Sequence, residues 1–151
     1  MPKTLKATKN SAIFFVFSIF FCIFANMIKI LLLMIFCHLI DDFVLQDKFT
    51  YLKQKSWWVK TCNDEGLSLD KYGKDYMMAL FEHSLEWSIA IMLPVIFLCN
   101  APGIVLLYCA VVNTIIHYIV DDAKANQLRL NLIQDQLIHF VQIILTWIIL
   151  I

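Results

Sequence analysis

Every histidine of this chain stands beside a carboxylate: His38-Leu39-Ile40-Asp41-Asp42, Glu82-His83-Ser84-Leu85-Glu86, His117-Tyr118-Ile119-Val120-Asp121-Asp122 and Asp135-Gln136-Leu137-Ile138-His139. In three of these strings a His and an Asp are four residues apart, which sets both side chains on one face of a helix. Imidazole nitrogen and carboxylate oxygen together suit zinc, manganese or iron. Pairs at this spacing, contributed by several helices, are how helical bundles build internal metal sites. The candidate ligands are therefore His38, Asp42, His83, His117, Asp121, Asp135 and His139. They exceed the needs of one tetrahedral zinc, so the expected cofactor is one or two divalent transition-metal ions, with the surplus residues orienting the ligands. Absence of cysteine from the set tilts it toward a di-metal or octahedral arrangement. A bound ion would activate water for hydrolysis, with Glu82, Glu86, Lys124 or Gln136 as base, phosphate contact or orienting group.

The elements that must position these residues are apolar. Hydrophobic residues make up 61% of the chain and the mean hydropathy is +0.75, the composition of a membrane protein. Apolar runs cover Ser11 to Ala25, Met27 to Leu45, Met77 to Leu98, Gly103 to Val120 and Leu132 to Ile151. The last four approach the ~20 residues that cross a bilayer as a helix, and lipid admits only helices or closed barrels. The expected fold is all-α: one polytopic transmembrane bundle over 1–151, with four core helices and an N-terminal apolar helix. Residues 1–26 form an N-terminal extension, read as a separate short span after a basic start at Lys3, Lys6 and Lys9; the alternative is one continuous helix to about Gln46, too long for a bilayer unless tilted or protruding. Its resemblance to a signal peptide is set aside because the apolar run continues past Asn26 with no clean cleavage site.

Lysine placement sets the expected orientation. The 46–76 loop carries Lys48, Lys53, Lys55, Lys60, Lys71 and Lys74, whereas the turn at Asn100-Ala101-Pro102-Gly103 carries none. The loop and the short connection at 122–131 are then cytoplasmic and the chain lies in the inner membrane. Aromatics alternate with lysines from Asp47 to Lys60, as in a helix lying on a membrane surface. With this topology all four His/carboxylate strings reach one depth, in the inner leaflet.

Helical spacing groups His38, Asp42 and Gln46; Tyr76, His83 and Glu86; Asn113, His117, Asp121 and Lys124; and Asn131, Asp135, His139, Gln142 and Thr146. One such His/Asp pair is ordinarily an ion pair at a helix end. Four at one depth, where a charge is costly, point to a functional site. The five cysteines form no CxxC pair and read as buried packing thiols. Lysine plus arginine equals aspartate plus glutamate, 12 each, which leaves no basic surplus for nucleic acid.

The strings HLIDDFVLQDKF, HYIVDDAK and DQLIHF, with His83 between them, resemble a family of small bacterial and phage multi-pass membrane proteins of unknown function. Its pattern is H-L-x-x-D-F-x-x-Q, a central His, H-x-x-x-D-x-x-K and D-Q-x-x-H. The resemblance covers about Ile30 to Ile151 and brings Gln46 into the candidate set, so that Gln46, Lys124 and Gln136 are the expected catalytic groups. Asp41 stands where that family has a small residue, and the 46–76 loop is longer. The family is distantly similar to membrane-bound metal-dependent hydrolases, which implies a hydrolase acting on a membrane-associated substrate. Expected partners are the lipid bilayer, that substrate or another membrane protein, with a homo-oligomer compatible. The competing readings are a proton or cation pathway, and a non-enzymatic phage or host factor whose polar network only fixes assembly.

Overall fold

The computed structural model describes residues 3–151, with side chains from Phe15 onward. Its first helix, α1, runs unbroken over Lys3–Ile40 and passes directly into a single π-helical turn at Asp41–Leu45. The expected separate N-terminal span is thus corrected to the front half of the first core helix. No glycine or proline lies between Lys3 and Leu45, and Asn26 and Lys29 alone do not break a helix. The side chains of Lys3, Lys6 and Lys9, which motivated the separate span, lie outside the described residues. From Phe15 to Leu45 the helical stretch is 31 residues, about 46 Å at 1.5 Å per residue. This exceeds the ~30 Å thickness of a bilayer's hydrocarbon core. Residues from Phe15 to Asn26 are exposed, and burial begins near Ile30 and Met34.

The 46–76 segment forms three short helices, α2 (Phe49–Leu52), α3 (Lys55–Glu65) and α4 (Leu69–Tyr72). One surface helix over Asp47 to Lys60 was expected; instead extended backbone at Gln54 divides it. The division has visible partners. Trp58 Nε1 donates to the Leu52 carbonyl at 2.7 Å, and Asn126 clamps the break from outside: its Oδ1 accepts from Lys55 N at 2.7 Å and its Nδ2 donates to Lys53 O at 3.1 Å. Gly66 ends α3 with a φ of +67°, the left-handed conformation that glycine adopts without penalty.

Three further long helices complete the bundle: α5 (Asp75–Leu98), α6 (Gly103–Ala125) and α7 (Leu132–Leu150). An Asn131–Gln134 capping box starts α7, satisfying two otherwise orphaned donors reciprocally. Four helices are long and apolar enough to cross a membrane. The break at 99–102 makes α5 and α6 an antiparallel hairpin, the most extensively packed pair. Small residues at their contact let a cross-helix bond form, Ser88 Oγ to Ala110 O at 2.9 Å, as small side chains do between membrane helices. Met34, Trp87, Ile91, Val95, Cys109 and Ile143 build the apolar core toward the 99–102 turn. Among the described cysteines none is in a disulfide; Cys62 and Cys109 are buried as expected, but Cys22 is exposed on the unpacked part of α1.

Candidate metal centre

At the opposite end of the bundle, where α1 ends, α5 begins, α6 ends and α7 begins, the core is polar. His38, His83, His117, His139, Asp41, Asp121 and Asp135 are all at most 2% exposed. The tertiary fold therefore brings the four His/carboxylate strings together, and the stripes on α6 and α7 face one another as their spacing required.

One hydrogen-bond chain orders much of this interior. Trp87 Nε1 donates to His38 Nδ1 at 2.8 Å, so the proton of a neutral His38 sits on Nε2. That nitrogen is 3.1 Å from Gln136 Oε1, which fixes the amide orientation. Gln136 Nε2 then donates to Asp42 Oδ2 at 3.0 Å and to Asp135 Oδ2 at 3.2 Å. Two lysines complete the outer contacts: Lys53 Nζ is 2.5 Å from Asp121 Oδ2, and Lys124 Nζ is 2.5 Å from Asp135 Oδ2. Asp42, Asp121 and Asp135 are thus each held through Oδ2.

Their other oxygens point inward. Asp42 Oδ1 lies 3.5 Å from His83 Nε2. Asp121 Oδ1 lies 3.4 Å from His139 Nε2 and 3.7 Å from His117 Nε2, and Asp135 Oδ1 lies 3.3 Å from His139 Nε2. His83 and His117 approach through their Nε2 atoms at 3.3 Å. Asp42 Oδ1, Asp135 Oδ1 and both nitrogens of His139 are buried with no hydrogen-bond partner among the described residues. Buried polar atoms left in this condition cost free energy, and a cation between them removes that cost. Ligand atoms about 2.1 Å from a tetrahedral ion are about 3.4 Å apart; the separations here run from 3.3 to 3.7 Å.

Two groups meet the geometric requirement for a metal ion: Asp42, His83 and His117, and His117, Asp121 and His139. His117 belongs to both. Its ring stacks on both Trp87 and His139, each with centroids 4.2 Å away, and those two rings are themselves 5.4 Å apart, so its plane is set by packing. His38 stands outside both groups, since Trp87 and Gln136 engage its two nitrogens. Asp135 also stands outside them, although its free oxygen faces His139. Gln46 Nε2 reaches His83 Nε2 at 2.9 Å, and Lys124 and Gln136 touch the carboxylates rather than the central space.

The structure changes two features of the sequence reading. Glu86, grouped with His83 by spacing, is exposed together with Glu82; the inward face of α5 is His83, Ser84, Trp87 and Ser88. The i, i+4 partner of His83 is Trp87, a position where a polar-residue search does not look. Lys53 was read as one of several surface lysines, yet it is 7% exposed. Nothing in its neighbourhood of sequence separates it from Lys48, Lys55 or Lys60; the fold of α2 back onto α5, which brings Lys53 to Asp121 of α6, does.

No family model matches this chain, and no curated protein or solved structure matches it.

Proposed function

We propose that this chain is a membrane-embedded metal protein of the inner membrane whose four core helices hold one or two divalent transition-metal ions at their cytoplasmic end. The observation that carries the reading is the set of inward carboxylate oxygens and imidazole nitrogens, spaced at ligand-to-ligand distances and held from behind. Six lysines on the 46–76 segment, with Lys124 and Arg129, favour the cytoplasmic side for this end of the bundle.

The ligands are Asp42, His83, His117, Asp121 and His139, with Asp135 the adjoining carboxylate. A metal ion here supplies Lewis acidity and a water ionised near neutral pH. The chain's own residues do the positioning. Lys53 and Lys124 restrain Asp121 and Asp135, and Gln136 ties Asp42 to Asp135 and to His38. Trp87 fixes the His38 proton and the His117 plane. Gln46, at the edge of the cluster beside His83, is placed to meet a substrate entering from the loop end. We further assign the activity as hydrolysis of a membrane-associated substrate, a finer reading supported by this ligand chemistry and by the resemblance of the HLIDDF, HYIVDDAK and DQLIHF strings to the small membrane-protein family described above.

The test is metal content of detergent-purified protein by mass spectrometry, beside an Asp42→Asn/His139→Ala variant. One or two equivalents in the native chain and fewer than about 0.1 in the helical, folded variant is the expected result, because one ligand is removed from each group. Equal content in both proteins would sink the assignment.

One observation favours a second reading, a proton or cation pathway. The polar interior continues past His117 and His139: Asn113 Nδ2 donates to Thr146 Oγ1 at 2.9 Å, and Gln142 Nε2 donates to Asn113 Oδ1 at 2.9 Å. All three residues are buried. Under the metal reading this network only joins α6 to α7, and liposomes containing the protein stay proton-tight; measurable proton flux, lost in Gln142→Leu, would instead favour the pathway.

A further inference from the structure

On the lipid-facing side of α5, away from the central cluster, lies a groove of about 490 Å³ between that helix and the π-helical turn. Asp41, Glu82 and Glu86 form its acidic end, and Leu85, Ile89 and Leu93 continue it as an apolar trough. No basic residue lines it. Glu82 and Glu86 are exposed and form no ion pair among the described residues. Asp41 is 2% exposed, and neither of its carboxylate oxygens has a hydrogen-bond partner among the described residues. His83 Nδ1 lies 3.9 Å from it, beyond hydrogen-bond distance.

A buried carboxylate without a partner is costly anywhere and more so within a membrane span. Two further carboxylates beside it deepen the negative potential of the groove mouth. From Glu82 to Leu93 the trough follows α5 for about 16 Å, roughly half the hydrocarbon thickness. A hydrated ion gains nothing from such a trough. A cation carried on an apolar stem, itself attached to an apolar helix, uses both parts.

We propose that this groove docks a transmembrane helix of another protein, which lies along Leu85, Ile89 and Leu93 and places one Lys or Arg against Asp41, Glu82 and Glu86. Arginine is the better fit, because its planar guanidinium engages two carboxylates at once. Lys29 of a second copy of this chain does not supply that cation in a parallel pair. The basic residue within its long apolar run is Lys29, twelve positions before Asp41 on the same helix, about 18 Å away in depth. The proposal stands on charge and geometry at this face and is independent of the metal reading.

The full chain, labelled with an energy-transfer acceptor, is reconstituted in phosphatidylcholine vesicles with donor-labelled synthetic single-span leucine helices. One helix carries Arg at the depth of Asp41, one carries Gln there, and one carries Arg at mid-bilayer. Association at least tenfold tighter for the first helix is the expected result, reduced tenfold or more by E82Q/E86Q and further by adding D41N. The E82Q/E86Q variant changes only exposed residues, so it keeps the fold, as helical circular dichroism would verify. Equal association of the Arg and Gln helices, or unchanged association of E82Q/E86Q with the Arg helix, would overturn the proposal. So would energy transfer between copies of the chain alone that E82Q/E86Q abolishes, since the occupant would then be a second copy.

Discussion

Replacing His117 with phenylalanine is expected to lower metal affinity by more than about 100-fold, whereas Asp42→Asn weakens only the group that contains His83. Phenylalanine keeps a ring in contact with Trp87 and His139, while removing both nitrogens. His117 is the residue shared by the two ligand groups, and Asp42 belongs to the first only. Loss of a residue that merely supports a ligand already costs 10–100-fold in metal affinity, so loss of a ligand from both groups costs more. Titration of the metal-free proteins with zinc, followed by calorimetry, distinguishes the cases. One or two ions in the native chain and none in His117→Phe is the expected result, with Asp42→Asn keeping the group of His117, Asp121 and His139 able to bind. Native metal content in His117→Phe would remove this histidine from the centre and with it the two-group description.

The second large effect is on stability. Lys53→Met should destabilise the metal-free protein by about 3–5 kcal/mol, the cost of leaving one charge of a buried pair unpaired. The side chains of Lys53 and Asp121 are 9% and 3% exposed, and their charged atoms are 2.5 Å apart. Methionine matches the length of the lysine stem, so packing of α2 against α5 is kept and the charge is the main change. Adding Asp121→Asn should recover most of the loss, because no uncompensated carboxylate then remains. Saturating metal should also narrow the gap, since the ion supplies the positive charge that the ammonium no longer does. Chemical denaturation in detergent micelles, with and without zinc, checks all three statements. A Lys53→Met protein as stable as the native chain without metal would mean that water, and not Lys53, balances Asp121.

Much of the candidate centre was legible because helix geometry is local. A histidine and an aspartate four residues apart share a helix face whatever surrounds them, and a polar face among Ile, Leu and Phe must turn away from lipid. The turn at Asn100 to Gly103 and the short 126–131 connection force antiparallel neighbours. Those two facts together place Asp121, His117, Asp135 and His139 at one end of the bundle before any coordinates are considered. The same logic misled at two places. Asn26 and Lys29 interrupt the apolar pattern without interrupting the helix, so one long α1 stands where two spans were expected. Glu86 lies three residues from His83, close enough in helical angle to join its stripe on paper, but burial of Trp87 and Ser84 rotates α5 so that Glu86 faces outward.

What the amino-acid order determined by itself was the class of molecule, the number of core helices, and which residues share a face. Composition, period and helix length are properties of neighbouring residues, and they act through backbone geometry that is the same in every helix. Tertiary structure alone decided which oxygen of each carboxylate points inward, that His117 lies in both groups that could hold a metal ion while His38 lies in neither, and that Lys53 is buried. Each of those depends on contacts between residues tens of positions apart: Lys53 with Asp121, Trp87 with His38, Gln136 with Asp42. Such contacts follow from how the helices rotate and pack against one another, and that rotation is the outcome of all their side chains competing for the same interior.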